Sequence, residues 1–239
     1  MPSDFTGEVV SRLIEAVEPV TFQADGLLYT RSGNLILPPQ PKPVDLHSLA
    51  GVVEFVDRSS LPEGVMVLVR SPIHVDVVTS GFDKYGRRTH FASAKVPEFG
   101  FPLGTKIGQE RFVVEVCRHF LSTPDRAELL EATSKIKTEA TATTTDDGVT
   151  QSVAASAGVT LVQRARVNPF WKLTGWMTFR EIEQPVAEYL LRIDADGRKV
   201  ELALHSLAGN EWEFAARRAI KDYLETALTG IGVHLPVIQ

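Results

Sequence analysis

The sequence predicts an α+β fold of antiparallel sheets, a long broken helix, a C-terminal helix and extended β-hairpin arms. Three observations carry that prediction. Apolar residues recur at helical spacing in residues 45–56, 109–136 and 211–228. Between these stretches, runs alternate with period two, as strands do because successive side chains point to opposite faces of a sheet. Polar turn clusters such as Asp83-Lys84-Tyr85-Gly86 and Asp194-Ala195-Asp196-Gly197 join the alternating runs over short distances.

The clearest alternation is residues 171–179. Trp171, Leu173, Gly175, Met177 and Phe179 fall on one face, and Lys172, Thr174, Thr178 and Arg180 on the other, interrupted only by Trp176. Asn168-Pro169 and Gln184-Pro185 bracket the run, where proline is tolerated at the ends of a strand. This stretch reads as the central strand of the chain.

From the start, Val9, Val10, Leu13, Ile14 and Val17 mark one face of a short helix that ends before Pro19. Short strands follow at 27–30 and 35–37, with a turn at 31–34. Four prolines in residues 38–43 make a stiff, extended linker. It separates an N-terminal arm, residues 1–43, from a main α+β domain, residues 44–239. In that domain a helix is expected over 45–56, with Leu46, Leu49, Val52, Val53 and Val56 inward. Residues 65–70 read as a strand, and 74–96 as a long, moderately polar hairpin with its tip at 82–87.

Phe112, Val113, Val116, Cys117 and Phe120 form the stripe of the next helix, and Thr123-Pro124 restarts it as N-cap and first helical position. Residues 137–157 form a second hairpin, almost without large apolar side chains, turning at Asp146-Asp147-Gly148. Strands at 189–193 and 199–205 follow the central strand. The last helix starts at Asn210 with Glu213 as a capping box and stops at Gly230.

The chain has 239 residues, 44% of them hydrophobic and 23% charged, the composition of an ordinary soluble globular protein. A net charge of -5 argues against a general polyanion binder, leaving room for a local basic patch. One cysteine excludes an internal disulfide and a multi-cysteine zinc site, which fits a reducing compartment. No basic segment leading into an apolar run opens the sequence, and no long apolar window follows, so neither a signal peptide nor a membrane partner is expected.

Chemical motifs are scarce. Residues 100–106 have the glycines of a phosphate loop, but at short spacing, with Lys106 after Thr105 and Pro102 where N–H donors are needed. Asp194, Asp196 and Glu201 lack the third acidic ligand and the twelfth-position glutamate of a calcium loop. No two histidines are four apart, and Cys117 reads as a core thiol. No catalytic residue, cofactor or metal is therefore expected. Trp176, alone among the polar residues of its strand face, is placed to meet a second sheet, a partner subunit or a ligand. With Lys172 and Arg180 it would make a small stacking surface of the kind used on single-stranded nucleic acid.

One resemblance emerges. Asp147-Gly148-Val149-Thr150-Gln151, Asn168-Pro169, Leu173, Thr178-Phe179-Arg180-Glu181, Gln184-Pro185, Ala203-Leu204 and Gly209 with Trp212 occur in that order, after Leu46-His47-Ser48-Leu49-Ala50-Gly51. Together they resemble the phage and prophage proteins of the YfdQ-like group over residues 46–224. The chain departs from that pattern at Gly175-Trp176-Met177 and His205. The resemblance implies phage or prophage origin and supplies no catalytic residues to carry over. The order of arm, hairpin, broken helix and sheet is also that of tailed-phage major capsid proteins and encapsulins, an analogy of element order alone.

The expectation from sequence is thus a non-enzymatic, self-assembling phage protein, a shell subunit of capsid-like fold, located in the host cytoplasm or the virion. Lys84, Tyr85, Thr141, Thr143, Asp146, Asp147 and Trp176 are the expected subunit interface. The alternative is an accessory protein of phage nucleic-acid metabolism that binds single-stranded DNA.

Overall fold

The computed structural model describes residues 21–30, 34–136, 143–146, 151–154, 165–166, 168–196 and 199–239. The helix expected at 9–17, and the expected interface residues Thr141 and Asp147, lie outside these. Asp25 and Gly26 have φ of 51° and 73°, the left-handed pair that a two-residue hairpin requires. They join β1 (Thr21–Ala24) to β2 (Leu27–Thr30). The expected strand at 35–37 reduces to a single bridge, Leu35 with Tyr29.

After the proline linker, β3 (Val44–Leu46) runs parallel to β6 (His90–Lys95), so Asp45 and Leu46 are strand rather than the expected helix. The helix α1 (Leu49–Arg58) starts only after Ser48, whose Oγ accepts from the Gly51 N–H at 3.0 Å. On the other side of β6 from β3, β4 (Val65–Ser71) and β5 (His74–Thr79) complete an antiparallel meander with β6. The residues expected to form a free hairpin arm, 74–96, are thus central strands. Val75, Val77, Ala92 and Ala94 are fully buried under α1 and α4 (Glu211–Gly230). A protruding arm would leave these valines in water, and burying each is worth about 1.5–3 kcal/mol.

The second half is inserted into the first. It contains β7 (Ile107–Gly108), α2 (Gln109–His119), α3 (Pro124–Ser134), β11 (Phe170–Thr174), β12 (Val186–Asp196) and β13 (Lys199–Ser206). Its sheet, ordered β11-β12-β13-β7, packs on α2 and α3 through Phe112, Val116, Phe120, Leu129, Leu173, Tyr189, Leu191 and Leu202. The Thr123-Pro124 start is as expected, with Thr123 Oγ1 accepting from Arg126 N–H. Cys117, in contrast, is exposed. The buried stripe of α2 is the narrower Phe112–Val116–Phe120, and Cys117 lies a full 100° round the helix from Val116. Asn210 adopts φ -85°, ψ 8° and makes no side-chain cap, so the expected capping box is absent. The helix runs through Gly230, and Gly232 at φ 77° follows it.

A further small sheet, ordered β10-β9-β8, joins β8 (Thr143–Asp146), β9 (Gln151–Ala154) and β10 (Ala165–Arg166). It contains Thr143 and Asp146 of the expected second hairpin. The chain closes with β14 (Val237–Ile238), parallel to β4 and completing the order β14-β4-β5-β6-β3. With four helices and mixed sheets among the described residues, the fold is α+β. No helix among them is long and apolar enough to cross a membrane.

Candidate functional site

The expected central strand is instead the edge strand β11 of its sheet among the described residues, and it stops at Thr174. Gly175 forms a bridge to Phe120, and Trp176 N–H donates to His119 O at 3.0 Å, so the chain is drawn across the end of α2. The next residues form a loop built round one buried amide. Gln184 Oε1 accepts from Met177 N (2.9 Å) and Thr178 N (3.1 Å), while Nε2 donates to Phe179 O (2.8 Å) and Ile182 O (3.0 Å). A side chain thereby replaces a strand partner for four buried backbone groups, which would otherwise be costly to desolvate.

The clamp sends residues of one loop in opposite directions. Phe179 and Ile182 enter the core of the first half, so Trp171 and Phe179 belong to different cores rather than to one strand face. Thr178 Oγ1 donates to Pro72 O, tying the loop to the β4–β5 turn. Glu181 Oε1 accepts from Ala50 N at the start of α1, where a carboxylate also suits the positive end of the helix dipole. Trp176 and Arg180 point outward, the guanidinium 5.3 Å from the indole centroid, and Trp176 is 39% exposed.

A cleft of about 710 Å³ lies here, where the two halves meet. His47 and Ser48 come from the start of α1, Glu98 from the segment after β6, Arg118 and His119 from the end of α2, and Trp176, Arg180 and Glu181 from the clamped loop. His119 is held by Glu115 Oε2 at 3.1 Å and stands edge-on to Phe99 and Phe101. Glu181 is already engaged on Ala50. The cleft therefore offers an indole, two guanidinium groups and imidazoles against the carboxylates of Glu98 and the already engaged Glu181. Such a surface can stack a planar ring and pair with an anionic group.

Of the other expected residues, Lys84 and Tyr85 are nowhere near this cleft. Lys84 Nζ donates to Gly26 O of the chain's own arm at 2.7 Å and sits over the Tyr85 ring. Lys172, on β11, does not line the cleft with Trp176 and Arg180; Arg118 does. The glycine loop at 100–106 is no phosphate cradle. The N–H groups of Leu103, Gly104 and Thr105 are taken by Phe101 O, Leu204 O and Pro102 O, and Lys106 pairs with Asp194, one of the residues considered for calcium. Among the described residues no group of three His, Cys, Asp or Glu side chains could hold a metal ion.

A second polar cluster was invisible in sequence. Asp76 is 2% exposed on the sheet face away from α1, and accepts from Arg70 Nε and from His74 Nε2 at 2.8 Å. Ser93 Oγ lies 3.0 Å from that same His74 nitrogen. A nucleophilic serine and a carboxylate need different nitrogens of the imidazole, so this is no catalytic triad. Burial alone would raise the Asp76 carboxyl, but hydrogen bonds from Arg70 and Ser93, with His74 beside it, hold it below the ordinary carboxylate range.

Comparison of the chain with family models, with curated proteins and with solved structures finds no match.

Proposed function

We propose that this is a non-enzymatic binding protein of phage origin whose inter-half cleft takes a short stretch of single-stranded nucleic acid. The observation that carries this reading is the Trp176–Arg180 pair, half-exposed in a cleft that also holds Arg118. A base stacks on the indole–guanidinium surface, and the adjacent phosphates pair with the two arginines. The acidic chain suits contacts with one or two nucleotides rather than a long track, so the salt dependence is shallow. For two phosphates the log–log slope is roughly -1.4.

Anisotropy of a labelled thymidine oligonucleotide, titrated at several salt concentrations, tests the reading. Loss of one stacked base weakens affinity on the order of tenfold, so Trp176→Ala should do so. Absence of binding at low salt, or indifference to Trp176→Ala, would end it.

A second reading, self-assembly into a shell-like oligomer, is favoured by the β10-β9-β8 sheet, which among the described residues shares no ladder with the other sheets. A small sheet of this kind is marginal alone and gains order by packing on something else. Light scattering at micromolar concentration checks it: a single-chain mass removes self-assembly.

A further inference from the structure

We propose that the inter-half cleft selects guanine, and that Glu98 is the residue that selects it. The inference rests on the single-stranded nucleic-acid reading and names the base that the cleft prefers.

A carboxylate is out of place on a surface that meets phosphates, because it repels them. It has a use where it faces the edge of a base. Three other polar side chains of the cleft wall are committed within the protein. Ser48 Oγ accepts from Gly51 N–H at 3.0 Å, Glu181 Oε1 accepts from Ala50 N–H at 3.1 Å, and Thr178 Oγ1 donates to Pro72 O. Glu98 is exposed and lines the same cleft as Trp176, Arg180 and Arg118. Its backbone is held on both sides. Val96 N–H donates to Ile73 O at 3.1 Å, and Pro97 fixes its own φ. Phe99 stands edge-on to His119 and Phe120, with centroids at 5.9 and 5.3 Å. Gly100 lies so close to His119 that a Cβ there would stand 3.0 Å from Cε1. A carboxylate on so fixed a segment discriminates between hydrogen-bonding edges as well as between charges.

In a single strand the Watson–Crick edge of each base is open to such a group. That edge suits a carboxylate only if it offers donors with no lone pair beside them. Guanine presents N1–H and the N2 amine side by side, a fork that matches both carboxylate oxygens as a guanidinium does. Thymine sets its N3–H between two carbonyls. Adenine and cytosine each place a ring-nitrogen lone pair next to their amine. All three turn an acceptor against an acceptor. Guanine also carries O6 and N7, the acceptor pair that arginine forks, so the guanidinium groups around Glu98 suit it as well.

The test is anisotropy at low salt with labelled short thymidine oligonucleotides whose central base is thymine, adenine, guanine or hypoxanthine (inosine). Guanine should bind about tenfold tighter than adenine, in the lower part of the range for a two-bond base contact. Adenine controls for the larger stacking area of a purine. Inosine keeps O6, N7 and N1–H but lacks the N2 amine, so it should lose most of the advantage, and this comparison needs no variant. Glu98→Gln turns an amide donor against the donors of guanine and should bring guanine level with adenine. Guanine no tighter than adenine, inosine equal to guanine, or a preference that survives Glu98→Gln overturns the proposal. If the oligonucleotides then still bind and Trp176→Ala weakens them, the nucleic-acid reading stands without it; if none binds, both fall.

Discussion

Replacing Gln184 by leucine should be among the most destabilising single changes available in this protein. The side chain is 6% exposed, and its amide satisfies Met177 N–H, Thr178 N–H, Phe179 C=O and Ile182 C=O at 2.8–3.1 Å. Leucine keeps the volume and orphans Met177 N–H, Thr178 N–H and Ile182 C=O, while Phe179 C=O keeps the bond from Ile182 N–H at 3.1 Å. A buried backbone group left without a partner costs about 1–3 kcal/mol. Some relaxation and water entry will recover part of this, so about 3–5 kcal/mol is expected, a large share of a typical total of about 5–15 kcal/mol. Urea unfolding of parent and Gln184→Leu, followed by far-UV circular dichroism, gives the difference directly. Gln184→Glu separates the two ends of the amide, since a carboxylate keeps both acceptor bonds and turns its other oxygen against the Phe179 and Ile182 carbonyls. A loss below about 1 kcal/mol in Gln184→Leu would show that the loop finds its hydrogen bonds elsewhere and that the clamp is not what shapes it.

Three further outcomes follow from particular contacts. Gly175→Ala puts a Cβ 2.8 Å from Phe99 Cε2, and Phe99 is pinned edge-on between Phe120 and His119, so thermal unfolding should register an overpacking loss of about 1–3 kcal/mol. Because the folded Asp76 carboxyl lies below its ordinary 3.8, its stabilisation is fully present above that pH and disappears as pH falls through the folded value. Urea titrations should therefore show Asp76→Asn less stable than the parent by a constant amount near neutrality, with the gap closing in acid; a gap that widens in acid contradicts the assignment. Tyr189, pushed up to about 12 by burial, should be missing from the absorbance step at 295 nm near pH 10 and ionise only as the fold is lost.

How much of this was legible in the sequence depended on whether a residue's role was set by its near neighbours. The α1 stripe of Leu49, Val52 and Val56, the Thr123-Pro124 helix start, and the strands at 65–70 and 199–205 obey local rules and sit where periodicity puts them. Period two made a central strand of the edge strand β11 and carried it five residues too far, because Gly175 has no side chain to betray the break and Met177 and Phe179 happen to keep the phase. Gln184 was the available signal, a polar residue ahead of Pro185 with nothing nearby in sequence to bond. Asp76 was hidden in the same way, since its partners Arg70 and Ser93 sit on the two neighbouring strands. The arm expected at 74–96 was misjudged on composition: a hairpin with His74, Asp76, His90 and Ser93 looks solvent-bound until its polar groups are seen to satisfy one another. The cleft draws on four segments separated by up to 130 residues, and only Trp176 and Arg180 among its lining could be singled out beforehand.

The clamped loop ties those two kinds of information together. Within residues 176–184 the side chains that hold the halves in contact, Phe179, Ile182 and Gln184, alternate with those that face the cleft, Trp176 and Arg180. Substituting the first set should lower stability and ligand affinity together, because the cleft exists only while the halves are docked. Substituting the second should change affinity and leave unfolding nearly untouched, since surface side chains away from buried networks usually move stability by no more than about 0.5 kcal/mol. Conversely, any ligand that fills the cleft contacts both halves at once and must stabilise their docking by mass action, by about 2.7 kcal/mol at a hundred times its dissociation constant. A molecule that binds elsewhere could also raise the unfolding midpoint, but that rise would survive Trp176→Ala. Loss of the rise in Trp176→Ala, with the unliganded midpoint unchanged, is the signature that belongs to this cleft alone.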